Sequence, residues 1–404
     1  MDERTAGIDL AREEHRLVVV GSDGGRVDER RVPQTEKGVA SLLQRLYELE
    51  VARVALEQPN GLLVDRLLDA GIAVVAVHPN QLAAARERYR SGGGKSDGFD
   101  AYVLAELART DMHRLRLLRP DRDDTRALRT LTRAREDLLE QRVALWNQLR
   151  AQLEAFWPGA ARNFFDVDSP IALASLERYP SPADARSLGE KRLAAFLARN
   201  GYCGRKSASE LLACLRTAPS GRTAPLESEA RRQVVLALVA ALRPLVEQIR
   251  LLTSEIRGLL SEHPDGVIFR SLFRDPKSVV TAAELLAEIG DRRERHPTSS
   301  SLEAIAGQVP VAVESGKKRV ACFRWAYNKT LPSAVSVLAD SSRKHNPWAN
   351  DIYQRARARG HDHPHALRIL GRACLRIIWR LWQDGAPYDP VRHGSLNRLL
   401  AAEG

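Results

Sequence analysis

Ala6-Gly7-Ile8-Asp9-Leu10 sets a single carboxylate inside a short apolar run. An acid between Ile8 and Leu10 is not buried in a strand without a partner. Either the strand lies at the edge of its sheet or Asp9 binds something positive. Arg16 to Val20 is a second apolar stretch, and Gly24-Gly25 turns the chain into a third, Arg26 to Val32. Three such stretches, joined by charged or glycine-rich turns, read as an antiparallel meander.

Val39, Leu42, Leu43, Leu46 and Leu49 then recur at helical spacing. Val51 to Glu57 reads as a strand, Leu62 to Ala70 as a helix and Ala73 to His78 as a buried strand. Three meander strands followed by two parallel strands alternating with helices predict an α/β, ribonuclease-H-like domain. After the loop Ser91-Gly92-Gly93-Gly94-Lys95, the segment Asp97 to Thr110 carries Ala101, Leu104, Ala105 and Ala108 on one side and reads as a helix. This first domain spans 1–120.

The chain of 404 residues exceeds what one core usually fills. Between Asp124 and Trp157, Leu128, Leu131, Leu138, Leu145, Leu149, Leu153 and Phe156 fall at heptad-like steps. Val235, Leu238, Leu242, Leu245, Ile249, Leu252, Ile256 and Leu259 form a more regular seam, which Pro244 should kink. Together they predict a long coiled-coil hairpin over 121–264, with the Pro- and Gly-broken segment 158–225, including a helix at Ser187 to Arg199, inserted at its tip. Helical patterns at Thr281 to Ile289, Ser301 to Ala306, Leu331 to Asp340 and His365 to Gln383 make 265–404 a third, mostly helical domain.

Lys and Arg outnumber Asp and Glu by 62 to 51, a formal net charge of +11 that favours a polyanionic partner, nucleic acid first. The cysteines Cys203, Cys214, Cys322 and Cys374 are scattered, which argues against a zinc ribbon or a disulfide framework and for a reducing cytoplasm. No long apolar run and no signal-peptide pattern is present, so a soluble, cytoplasmic protein without a membrane partner is expected.

The chemistry is expected at four acids. Glu57 ends the fourth strand, and Asp97 and Asp100, three apart at a helix start, can face the same way. With Asp9 they can converge as hard oxygen ligands suited to Mg2+ or Mn2+, ions that support in-line phosphoryl displacement. Taken singly, Asp97 reads equally well as a helix N-cap and Asp100 as a first-turn dipole partner.

These residues also carry a resemblance. Gly7-Ile8-Asp9, Val54-Ala55-Leu56-Glu57, Val74 to Pro79 and Lys95-Ser96-Asp97-Gly98-Phe99-Asp100-Ala101 resemble, in order and spacing, the amino-terminal domain of DEDD transposases of insertion-sequence family 110. That family includes Piv-type DNA invertases and RNA-guided bridge recombinases. The resemblance implies a RuvC-like domain whose four acids match Asp9, Glu57, Asp97 and Asp100 and hold magnesium, with manganese as a substitute. Ala282 to Asp291, Leu302 to Pro310, Ser315-Gly316-Lys317-Lys318 and Asn328 resemble the family's transposase domain. Ser315 then matches the nucleophile that forms a phosphoserine link to DNA. Lys317, Lys318, Arg319 and Arg324 lie near it in sequence and can neutralise phosphate. Asn328, and Lys95 beside Asp97, are further expected nucleic-acid contacts. Asp275-Pro276-Lys277-Ser278 and Tyr327 depart from the family, which commonly has glycine at these places.

The resemblance further implies a structured guide RNA and a dimer or tetramer assembled through the heptad helices. Site-specific recombination of an insertion sequence, by a nucleoid-associated bacterial-type enzyme, is the leading expectation. Two rivals are a RuvC-like endonuclease using metal-activated water and a regulator that binds nucleic acid without cutting it. His361, His363 and His365 read as a polar surface loop rather than a metal cluster. Trp325, Trp348, Trp379 and Trp382, with Arg343, Lys344, Arg372, Arg376 and Arg380, lie in a basic region able to stack on bases or grip phosphates; Trp379 reads as a core residue, and the arginines as nucleic-acid contacts.

Overall fold

The computed structural model describes residues 3–58, 61–89, 96–164, 166–219, 224–309, 311–315, 318–322, 328 and 330–403, with backbone alone for 311–315, 318–322, 402 and 403. Its contacts group into two compact units, Met1–Pro120 and Asp121–Gly404.

In the first unit, β1 (Arg4–Asp9), β2 (Glu14–Val20) and β3 (Arg26–Pro33) form the meander. Then follow α1 (Glu36–Glu48), β4 (Val51–Leu56), α2 (Leu62–Asp69), β5 (Ala73–Ala76), α3 (Pro79–Tyr89) and α4 (Asp97–Thr110). The five strands lie in the order β3-β2-β1-β4-β5; β1 runs parallel to β4, and β4 parallel to β5. This is the mixed sheet the strand pattern predicts.

Alternation divides the sheet into two faces. Ala6, Ile8, Leu17, Val19, Val54, Leu56 and Val74 pack with Val39, Leu42 and Leu46 of α1 and Leu63, Val64 and Leu67 of α2. Val18 and Val20 pack on Ala101 and Ala105 of α4, and Ala55 joins Val103, Leu104 and Leu107. α4 approaches β1 at backbone range because residue 7 is glycine. A Cβ there would stand 1.9 Å from the Ala101 carbonyl oxygen and 2.5 Å from the Ala105 nitrogen.

In the second unit α5 (Asp123–Phe156) leads into α6 (Pro158–Asn163), α7 (Pro170–Arg178), α8 (Glu190–Arg199), α9 (Ala208–Thr217) and the returning α10 (Pro225–Glu262), which is continuous through Pro244. α5 and α10 run antiparallel. Leu128 shares a cluster with Ile256 and Leu260, while Leu149 and Leu153 share another with Val235, Val239 and Leu242. Arg135 Nε donates to Thr253 Oγ1 at 2.9 Å between these clusters.

The chain continues through α11 (Gly266–Arg270), α12 (Val279–Ile289), α13 (Ser299–Ile305), the hairpin β6 (Val311–Ser315) and β7 (Lys318–Cys322), α14 (Leu331–His345), α15 (Pro347–Ala358), α16 (His363–Asp384) and α17 (Gly394–Glu403). Leu285, Leu286, Val335, Leu338, Leu370, Leu375, Ile378 and Trp382 fill the core of α12, α14 and α16. No described helix is long and apolar enough to cross a membrane.

α12 also carries a carboxyl whose setting affects stability. Burial, reinforced by Glu136 of α5 and by Glu288, pushes Glu284 up to about 7 against a weaker pull from Arg135. The folded protein therefore holds this proton above pH 4.5, the ordinary value, where the unfolded chain releases it. The resulting loss of stability develops as pH rises toward 7. Glu284→Gln should raise the melting temperature at pH 8, by on the order of 2 kcal/mol in stability, and leave it nearly unchanged at pH 5. Thermal denaturation at the two pH values checks this; an equal effect at both would contradict it.

Candidate active site

The β1–α4 contact sets one end of the sheet. Thr5 Oγ1 donates to the Ala105 carbonyl at 3.0 Å, and Gly7 lies under Ala101 and Ala105, so α4 runs antiparallel to β1. One strand step further is Asp9, and one helical turn before Ala101 is Asp97. Ser96 caps this helix, its hydroxyl accepting the Phe99 amide at 3.3 Å. Ile8 is in register with Leu56 of β4, so continuing the parallel register one step brings Glu57 beside Asp9. Asp9, Glu57 and the first turn of α4 thus share the end of the sheet where β1 and β4 finish.

The two helical acids have different surroundings. Asp97 is exposed and lines a cleft of about 510 Å³ together with Glu14, Arg16, Arg26, Glu29, Arg31, Ser96 and Phe99. Asp100 is 2% exposed and is gripped by Arg86 of α3, whose Nε and Nη2 donate to its two oxygens at 2.5 and 2.7 Å. Asp9 and Glu57 are half-buried. Hard carboxylate donors at this end fit a divalent cation by chemistry. Among the described residues, however, these four do not close into a group with donor atoms within 4.8 Å of one another. Arg86 supplies the positive charge that buried Asp100 requires.

The described group that does close to that distance is Asp124, His263 and Asp291. Its hydrogen bonds make it a latch between helices. The Asp265 amide donates to His263 Nδ1 at 3.0 Å, so the ring proton sits on Nε2, 2.8 Å from Thr125 Oγ1. That hydroxyl donates in turn to Asp291 Oδ2 at 2.8 Å. Burial depresses the His263 pKa against the pull of Asp124, Asp265 and Asp291, keeping the ring neutral. A metal on Nε2 would displace the only ring proton, contrary to the usual pattern in which a ligating histidine donates its other N–H.

Ser315 closes β6 and is in register with Lys318, which opens β7; Arg319 follows opposite Glu314. Only the backbone of these residues is described, and Lys95, Lys317 and Arg324 lie outside the described residues. Asn328 is engaged within the fold. Its Nδ2 donates to the Glu288 carboxylate, and its Oδ1 accepts the Thr330 and Leu331 amides at 2.9 Å each. Arg372 and Arg376 both reach Glu303, itself 1% exposed, at 2.5 and 2.8 Å. Trp379 Nε1 donates to the His296 carbonyl at 2.8 Å, and His363 Nδ1 meets the Tyr353 hydroxyl at 2.8 Å.

Residues 6–158 match the transposase family defined by the DEDD domain of IS110, and residues 278–354 match the transposase family of IS116, IS110 and IS902. The protein assigned as the mini-circle transposase for IS117 in Streptomyces coelicolor is 32% identical over 398 residues, 96% of this chain and 95% of that one. The chain belongs to the IS116/IS110/IS902 transposase family. The 44.8 kDa protein of insertion element IS116 from Streptomyces clavuligerus is 29% identical over 395 residues, 96% of this chain and 97% of that one. T. thermophilus RuvC, solved with a Holliday junction substrate, aligns with 29% of this chain and 99% of its own at 20% identity and a TM-score of 0.24.

For this transposase, the sequence did not disclose the cation that holds Asp100. Arg86 lies fourteen residues earlier, on a helix without strong amphipathic patterning, and no local signal marks the pair. Arg86→Ala should leave a buried carboxylate uncompensated and destabilise the first unit by roughly 3–5 kcal/mol. Added Mn2+ should then restore a larger share of thermal stability than it adds to the parent. Melting curves with and without Mn2+ test both statements, and an unchanged melting temperature in the variant would rule out the first.

Proposed function

We propose that this transposase cuts and rejoins the DNA of an insertion sequence by a phosphoserine route, with Asp9, Glu57, Asp97 and Asp100 as the metal-binding acids and Ser315 as the nucleophile. The observation that carries the metal site is the seating of α4 on Gly7, which brings Asp97 to the strand ends that bear Asp9 and Glu57. Magnesium, or manganese in its place, would supply Lewis-acid stabilisation of charge on the phosphoryl oxygens. Asp9 and Glu57 would provide oxygens from the strand ends and Asp97 from the cleft, while Asp100 contributes when Arg86 releases it.

In the serine step the Ser315 hydroxyl gives up its proton as its oxygen forms a bond to phosphorus, one phosphorus–oxygen bond of the DNA backbone breaks, and the departing deoxyribose oxygen takes up a proton, so none is consumed overall. Attack by a strand hydroxyl on the phosphoserine reverses these changes and restores the serine, so rejoining conserves the number of phosphoesters. Lys317, Lys318, Arg319 and Arg324 are assigned to neutralise the phosphate, and Lys95 to a phosphate near the acids. Three working parts are assigned within the chain: 1–120 for metal chemistry, 121–264 as a helical linker that pairs subunits into a dimer or tetramer, and 265–404 for the nucleophile. A structured guide RNA and a place beside the bacterial nucleoid complete the reading, which family membership supports.

Asp9→Asn, Glu57→Gln and Asp97→Asn should each fold and lose metal-dependent strand cleavage by more than about 100-fold, as removal of several kcal/mol of charge stabilisation requires. Full activity in any of them removes that residue from the site. Ser315→Ala should yield no protein–DNA adduct on a denaturing gel. An adduct that persists excludes Ser315, and cleavage without any adduct in the parent would indicate attack by water.

A further inference from the structure

The strand register lays a row of charges across the end of the sheet. Asp9 is in register with Arg16 across β1 and β2, and Arg16 with Arg31 across β2 and β3. Glu57 extends the same row on the other side of Asp9. Residues in one row share a face, and this is the face covered by α4. Two acids are therefore followed by two arginines at strand spacing, about 4.8 Å.

Like charges directly opposite one another in antiparallel strands repel; Asp9 beside Arg16 and Glu14 beside Arg31 offset part of this repulsion. Arg31 meets Glu14 at 3.4 Å in a solvent-exposed pair, and Glu29 is taken by Arg26 at 2.7 Å. Among the described residues no ion pair is seen for Arg16. Both arginines line the 510 Å³ cleft that Asp97 faces. The first turn of α4 crowds the same place: a Cβ on Gly98 would stand 2.8 Å from Glu29 Oε1 and 4.0 Å from Arg16 Nε.

We infer that this cleft is a phosphate-binding site for the DNA strand, in which Arg16 and Arg31 hold the backbone phosphate next to the one at the acids. Guanidinium groups suit this task because their paired N–H donors match two phosphate oxygens. A phosphate between the arginines also removes their mutual repulsion, so the row is completed by its ligand. The two arginines then fix which phosphodiester lies at the acids, a positioning role that carries no base specificity. This inference rests on the proposed metal site, and the experiment separates the two.

Binding of a short fluorescein-labelled DNA duplex to the full chain would be measured by anisotropy in Ca2+ across a salt series, alongside Mn2+ titration by calorimetry. Arg16→Ala and Arg31→Gln should each weaken DNA binding about 10-fold, as loss of a charge-assisted hydrogen bond predicts, and flatten the log–log salt dependence by about one. Mn2+ affinity should stay at the parent value, and Arg16→Lys should recover part of the binding with the salt slope restored. Parent-like DNA affinity and slope in both Arg16→Ala and Arg31→Gln would overturn the inference. So would a loss confined to an RNA duplex of the same sequence. Asp9→Asn, run in parallel, tests the metal reading alone: retained Mn2+ binding there would defeat that reading whatever the arginine variants do.

Discussion

Much of the first unit follows from one missing methyl group. At Gly7 the strand and the helix meet backbone to backbone, and any side chain would enter the space of the Ala101 carbonyl. With β1 held there, α4 has little freedom to slide along it, and the alanines Ala101 and Ala105 allow the same closeness over Val18 and Val20. The helix start is consequently fixed with respect to the strand ends. The acids at those ends, the cleft beside them and the register row of charges all take their positions from this contact. Because it is made by atoms close to the backbone, it also orders the site without relying on long, flexible side chains.

Short apolar runs made the sheet legible in sequence, because helices cover both of its faces, and Gly24-Gly25 marked the turn into the third strand correctly. Helix spacing located α5 and α10, although their apolar residues serve several neighbours: Leu128, Ile256 and Leu260 join the core of α12, α14 and α16, and Leu149, Leu153, Val235 and Val239 also meet Ala160 of α6 and Leu173 and Leu176 of α7. Asp9 stood out because it interrupts an apolar run. Long-range pairing was not legible in the same way. Arg86 gave no hint that it would hold Asp100, since a surface arginine and an ion-pairing arginine look identical in one dimension. Arg16 and Arg31 became informative only through the strand register. The hairpin β6–β7 was missed because its short strands lie among helical patterns.

The surplus of basic residues takes a different meaning once its partners are known. Asp121 lies between Arg129 at 2.5 Å and Arg295 at 3.2 Å, Glu288 takes Arg133 at 2.7 Å, and Asp168 takes Arg142 at 2.7 Å. The arginine partners hold Asp121 and Glu288 below the usual carboxylate range despite burial, which acts in the opposite direction. Each of these acids would be costly to bury alone. Several arginines that look in sequence like contacts for a polyanion are thus committed to holding helices together. Net charge identifies the class of partner better than it identifies the residues that meet it.

The antiparallel course of α5 and α10 has a topological consequence. The chain leaves this pair after Phe156 and rejoins it at Pro225, where Leu149 and Leu153 lie against Val235 and Val239. Helices α6 to α9 are therefore a detour whose exit and re-entry points are neighbours. Its first part is anchored, since Ala160, Leu173 and Leu176 share the core of Leu149, Leu153, Val235 and Val239. Leu193, Phe196, Leu197, Leu211 and Leu212 of α8 and α9 lie instead in a separate cluster, where length and sequence can change while the long helices keep their pairing. This outer part gives the molecule a module on which new contacts can be tried without re-registering the remainder of the fold.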